Sequence, residues 1–115
     1  MGELFYQLAR TIIKNPSLRK DQNIIDLLGE SYSYYLYQTE NFPWEFPVQT
    51  RPLKLHQSVL NVATGLVGFS MIKNWPDDFP KLVLSDNGPF ILRGLSHYIK
   101  LIGRSNVTLM EADFP

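Results

Sequence analysis

The sequence predicts a mostly α-helical fold, a single compact domain over residues 1–115 with about five helices. The chain has 44% hydrophobic and 19% charged residues, which is typical of one folded domain. Apolar residues recur at helical spacing over much of its length. Prolines and glycines divide it into a helical pair at 1–40, a proline- and aromatic-rich strap at 41–54, a trihelical unit at 55–103, and a tail or short strand at 104–115.

The first forty residues predict two helices. Leu4, Leu8 and Ile12 recur every four residues, which places them on one face of an amphipathic helix over 3–13. The segment Asn15-Pro16-Ser17 ends this helix, because a proline disfavours the helical conformation of the residue before it. Helical spacing of apolar residues resumes over 22–39 and predicts the second helix.

The trihelical unit is predicted to contain helices at 55–73, 77–84 and 89–102. Many residues of 59–72 are β-branched, however, so this segment is also compatible with strands. Asp86-Asn87-Gly88 is a strong turn sequence. The alternative is therefore an α+β fold with a C-terminal hairpin around Asp86–Gly88. Under either interpretation, 107–110 can add a strand.

The sequence contains no recognisable catalytic, cofactor-binding or metal-binding motif. It has no cysteine, which excludes disulfides, thiolate metal sites and a cysteine nucleophile. His56 and His97 are far apart in sequence and neither belongs to a metal or triad motif. The adjacent Asp77 and Asp78 are interpreted as first-turn helix residues, because neighbouring helical side chains point in different directions. We therefore expect a protein without cofactor or catalytic activity.

One segment resembles a known catalytic core. Residues 81–91 resemble the strand that carries the second acidic residue of integrases and transposases with the ribonuclease H fold. That resemblance implies metal binding by Asp86. The family's first aspartate has no counterpart in the upstream segment, and only a few residues follow Glu111. The similarity is therefore interpreted as a shared turn sequence.

A protein-interaction module is the leading functional hypothesis. Aromatic residues are more numerous around the second helix and the strap than one helical face can bury, so some of them should form a contact surface. An adaptor, an assembly subunit, an inhibitor- or immunity-type protein and self-association all fit this description. The predicted protein interface consists of Tyr34, Tyr37, Phe42, Trp44 and Phe46.

The alternative hypothesis is DNA binding, because three short helices resemble helix-turn-helix proteins in general. Residues 89–102 would then be the recognition helix. The candidate DNA contacts are Arg93, Ser96, His97, Lys100 and Arg104. Lysine plus arginine and aspartate plus glutamate each total 11, so the whole chain exerts no net electrostatic attraction on nucleic acid or membranes. With no evident signal or membrane segment, we expect a cytoplasmic protein without a membrane partner.

Overall fold

The computed structural model describes residues 3–38, 58–62 and 64–112. These residues are mostly helical, with four α-helices, one 3-10 helix and a small parallel sheet of three strands. In chain order the elements are α1 (Glu3–Lys14), a 3-10 helix (Pro16–Lys20), α2 (Gln22–Gln38), β1 (Ser58–Asn61), α3 (Val67–Asn74), β2 (Lys81–Asp86), α4 (Pro89–Ile102) and β3 (Val107–Glu111).

The three strands run parallel in the order β1-β2-β3. Helix α3 connects β1 to β2, and α4 connects β2 to β3, so residues 58–111 form two consecutive β-α-β units. Parallel neighbours need crossover connections of this kind, because a tight turn can only join antiparallel strands. The register pairs Leu82 with Val107 and Asp86 with Glu111.

The core lies between one face of the sheet and the helices. Leu82 and Leu84 of β2 are fully buried and belong to the same apolar cluster as Phe69 of α3 and Leu95 of α4. Side chains alternate between the two faces of a strand. Leu60 of β1, which is half exposed, therefore lies on the opposite face of the sheet.

Helix α2 packs closely along α4. A Cβ atom added to Gly29 would lie 2.9 Å from the backbone oxygen of Phe90 and 3.0 Å from the backbone nitrogen of Gly94. Only glycine permits this approach of the two backbones. Helix α1 adds a further layer, since the ring of Phe5 lies 4.7 Å from that of Tyr32 on α2.

The structure confirms several predicted elements and corrects others. Helices α1, α2 and α4 and the strand near 107–110 were predicted. The predicted helix at 77–84 is wrong, because Lys81–Asp86 is the central strand of the sheet. The predicted helix at 55–73 is also wrong in its first part, where Ser58–Asn61 is a strand and the helix begins only at Val67. The described residues therefore contain four α-helices, whereas the sequence predicted about five helices.

The small sheet fits the alternative α+β prediction, but the C-terminal hairpin of that prediction is not formed. The residues after Asp86-Asn87-Gly88 begin α4, and β2 pairs with β3 in parallel. The hairpin was predicted from the turn sequence Asp86-Asn87-Gly88, which instead leads into α4. The helix at 77–84 was predicted because the sequence of β2 is apolar. A strand buried in a parallel sheet is often continuously apolar, so it lacks the alternation that separates a strand from a buried helix. The predicted strap at 41–54 lies outside the described residues.

Candidate ligand site at the carboxyl ends of the strands

The carboxyl ends of the three strands meet at one edge of the sheet, because the strands are parallel. The loop 64–66 leads from this edge into α3, and Asn87 and Gly88 lead from it into α4. Two helices thus begin at the edge and direct the positive ends of their dipoles towards it. In open α/β sheets, ligands bind outside the carboxyl ends of the strands. We call residues 64–68, 86–88 and Glu111 the strand-end site.

The loop after β1 depends on two glycines. Gly65 has a φ of +52°, a conformation that glycine adopts without strain. Gly68 lies in the first turn of α3, where an added Cβ would lie 2.8 Å from Oγ1 of Thr64 and 2.9 Å from Cδ2 of Leu95. The first glycine therefore allows the turn, and the second allows α3 to pack tightly against α4.

Asp86 joins the two loops of the site. Its Oδ2 accepts a hydrogen bond of 2.8 Å from the backbone N–H of Gly65, and its Oδ1 accepts one of 2.9 Å from that of Gly88. An ionised carboxylate offers about four acceptor positions. The backbone bonds fix the orientation of the group and leave about two positions for a ligand.

The charge of the strand-end site is negative. Asp86 and Glu111 are paired in the register of β2 and β3, so both carboxylates stand at this edge. Residues 64–68 and 86–88 contain no lysine or arginine. By contrast, Lys81 begins β2 and Lys73 lies in the last turn of α3, both at the opposite edge of the sheet. The strand-end site therefore favours a cationic or neutral ligand over a phosphate.

The structure places part of the predicted protein interface. Tyr34 and Tyr37 are 46% and 47% exposed, and their ring centroids are 6.4 Å apart on α2. Phe42, Trp44 and Phe46 lie outside the described residues. The two tyrosines are thus accessible and adjacent, and they lie on a helix that contributes nothing to the strand-end site as defined above.

Three of the five candidate DNA contacts are bonded to other elements. The guanidinium of Arg93 donates to Oε1 of Glu30 at 2.6 Å, which raises the pKa of Arg93 above its usual value, and Nδ1 of His97 lies 3.3 Å from Oγ of Ser33. Arg104 donates to the backbone oxygens of residues 72 and 73 at 3.0 and 2.8 Å. Ser96 is half-buried and Lys100 is exposed.

This placement gives the DNA-binding hypothesis no support. Arg93 and His97 both contact side chains of α2, although Arg93 remains 46% exposed. A recognition helix must present such side chains to the major groove. Moreover, the helix expected at 77–84 as the second of the three helices is replaced by β2.

The sequence prediction missed the strand-end site, although its spacing contains a signal. Residues 63–68 read Ala-Thr-Gly-Leu-Val-Gly, which matches the G-x-G-x-x-G turn of nucleotide-binding folds with alanine in place of the first glycine. Asp86 follows Gly65 by 21 residues. In that motif an acidic residue about 20 positions downstream binds a ribose hydroxyl. The signal is recognisable only when residues 58–61 are known to form a strand.

No protein-family model, curated protein or solved structure matches this chain. Among the described residues, none of the helices is long and apolar enough to cross a membrane. The same residues contain no cluster of three or more histidine, cysteine, aspartate or glutamate side chains suited to a metal ion. The function must therefore be inferred from the site itself.

Proposed function

We propose that the strand-end site binds the nucleoside part of S-adenosylmethionine and that the protein takes part in methyl transfer. The observation that carries this proposal is the position of Asp86. It ends the second strand of a β-α-β-α-β unit, 21 residues after Gly65, with both of its oxygens oriented by backbone N–H groups. This proposal differs from the non-enzymatic function expected from the sequence.

Asp86 suits a ribose because its remaining acceptor positions can take the two neighbouring hydroxyls of the sugar. Hydrogen bonds from hydroxyls to a carboxylate are stronger than those between neutral groups. The backbone bonds to Gly65 and Gly88 orient the carboxylate before a ligand arrives, so little side-chain entropy is lost on binding. The turn at Gly65 lets the rest of the nucleoside approach the backbone closely.

The charge of the site distinguishes between the cofactors that such a fold can bind. Dinucleotides carry a pyrophosphate, which is compatible with an acidic residue at the position of Asp86 but would be repelled by the second carboxylate, that of Glu111. S-adenosylmethionine carries a sulfonium in place of phosphate, and Asp86 and Glu111 would attract this cation. Transfer of its methyl group to a nucleophile leaves neutral S-adenosylhomocysteine. The acidic site thus favours the adenosyl sulfonium over a dinucleotide.

Isothermal titration calorimetry with S-adenosylhomocysteine tests the proposal. Wild-type protein should bind this ligand, and Asp86→Asn should weaken binding about tenfold or more, since charge-assisted hydrogen bonds to the ribose are lost. The matched control is Asp77→Asn, an exposed aspartate that bonds Arg104 beyond the C-terminus of α3. It should bind like wild type. Thermal unfolding without ligand shows whether each variant is folded.

Two results would contradict this function. Absence of S-adenosylhomocysteine binding to folded wild-type protein excludes the proposed ligand. Tighter binding of NAD⁺ than of S-adenosylhomocysteine would show that the site accepts a pyrophosphate despite its two carboxylates, and would assign the protein to dinucleotide chemistry instead.

A protein contact through α2 is a second candidate function, favoured by the exposure and proximity of Tyr34 and Tyr37. Tyrosine contributes strongly to protein interfaces because it combines apolar area with a polar edge. If the pair mediates self-association, Tyr34→Ala/Tyr37→Ala should lower the fraction of dimer or larger species in a light-scattering concentration series. An unchanged series, or a wild-type protein that is monomeric throughout, would contradict self-association by this surface.

A further inference from the structure

A cavity lies where the N-terminal helices meet the first turn of α4. It has a volume of about 250 Å³ and is separate from the backbone groups that surround Asp86. Five of its six lining residues are apolar and the sixth is an arginine. They are Ile12, Ile25, Leu28, Pro89, Phe90 and Arg19. We call this cavity the Arg19 groove.

The apolar wall of the Arg19 groove is firmly held. The ring centroid of Phe90 lies 5.8 Å from that of Tyr32 on α2 and 6.5 Å from that of Phe5 on α1, so these two rings hold Phe90 in place. Ile25 and Leu28 are three positions apart on α2 and therefore share one helical face. All three side chains are only half-buried, which leaves apolar surface available to a ligand.

The charge beside the groove is positive. Residues 14–20 include Lys14, Arg19 and Lys20 and contain no acidic residue. The next residue, Asp21, accepts hydrogen bonds of 3.0 and 3.3 Å from the backbone N–H groups of residues 23 and 24. Its carboxylate therefore caps the start of α2, and Arg19 forms no ion pair within 4.0 Å among the described residues.

We propose that the Arg19 groove binds a small apolar carboxylate. The hydrocarbon part lies against Ile25, Leu28 and Phe90, and the carboxylate pairs with the guanidinium of Arg19. Arginine binds carboxylates in a bidentate geometry that a lysine does not reproduce. In an otherwise apolar pocket, a small number of precisely placed polar groups orients the ligand. The proposal does not depend on cofactor binding at the strand-end site.

Calorimetric titration with octanoate tests this site, with octanamide as the neutral probe of the same length. Wild-type protein should bind octanoate saturably and octanamide more weakly. Arg19→Gln should weaken octanoate binding about tenfold, the equivalent of one charge-assisted contact, and leave octanamide binding unchanged. Lys20→Gln is the matched control, since it removes a neighbouring positive charge outside the lining. It should change octanoate binding less than about twofold.

A variant of the apolar wall completes the test. Leu28→Gln should weaken the binding of both probes, and circular dichroism confirms that the helices are retained. The proposal is overturned if wild-type protein shows no saturable octanoate binding, or if Lys20→Gln weakens binding as much as Arg19→Gln, which would indicate nonspecific attraction. Equal affinity for octanoate and octanamide would also overturn it.

Discussion

Tyr32 of α2 is buried in an aromatic cluster that joins the four α-helices of the described residues. Its ring lies 4.7 Å from Phe5 of α1, 5.4 Å from Phe69 of α3 and 5.8 Å from Phe90 of α4. Burial, followed by the neighbouring phenols of Tyr35 and Tyr6, raises the pKa of its phenol from 10.0 to about 12. A charged phenolate at this position would be poorly solvated.

The raised pKa of Tyr32 predicts a loss of stability at high pH. Above pH 10.0 the phenol of the unfolded chain releases its proton, whereas the folded protein retains it until about pH 12. The stabilisation is therefore complete below pH 10 and is lost as the pH rises towards 12. Urea unfolding at pH 9 and pH 11 should show a smaller loss of stability for Tyr32→Phe than for wild type.

The exposed Tyr34 on the same helix provides the control for this measurement. Tyr34→Phe removes one phenol without altering the aromatic cluster, so it should lose as much stability between pH 9 and pH 11 as wild type. Identical pH dependence of wild type and Tyr32→Phe would show that the buried phenol does not govern alkaline stability.

Among the secondary-structure elements, those with one polar face were predictable from the sequence. Helices α1 and α4 are both amphipathic, so their apolar residues follow the helical period and their limits are visible in the sequence. Strand β2 was not predictable in this way. Leu82 and Leu84 are fully buried and Val83 between them is half-buried, so polarity does not alternate along the strand.

The failure at β2 also concealed the strand-end site. With a helix at 77–84 and a turn after it, Asp86 has no defined neighbours. Once β2 is a strand beside β1, Asp86 reaches Gly65, which is 21 positions earlier in the chain. The candidate site therefore depends on pairing between distant segments, and short-range periodicity carries no information about such pairing.

The presence of Gly29 in α2 is likewise explained only by a contact with α4, which is distant in the sequence. Gly29 lowers helix propensity locally, and the sequence alone gives no reason for it. Its reason is the backbone of residues 90–94, which leaves no room for a Cβ atom. The same contact turns Arg93 and His97 towards α2. One packing constraint thus explains an unfavourable helix residue and the position of two candidate DNA contacts.

At the scale of the whole molecule, the described part of the chain is layered, with helices on one face of the sheet. Leu84 of β2 is 0% exposed and contributes to the core between sheet and helices. Leu60 of β1 pairs in register with Val83, the residue before Leu84, and is 51% exposed. Because neighbouring residues on a strand face opposite sides, Leu84 lies on the face of the sheet that packs against the helices and Leu60 lies on the other face.

The layered arrangement predicts very different costs for the same substitution on the two faces. Leu84→Ala should lower the free energy of unfolding by about 2 to 5 kcal/mol, because it removes buried methyl groups and leaves a cavity. Leu60→Ala should change it by no more than about 0.5 kcal/mol, because half of the side chain is already in water. Urea unfolding of both variants at neutral pH measures the difference. Equal losses would show that the face carrying Leu60 is packed as tightly as the core, and the one-sided layering would then be wrong.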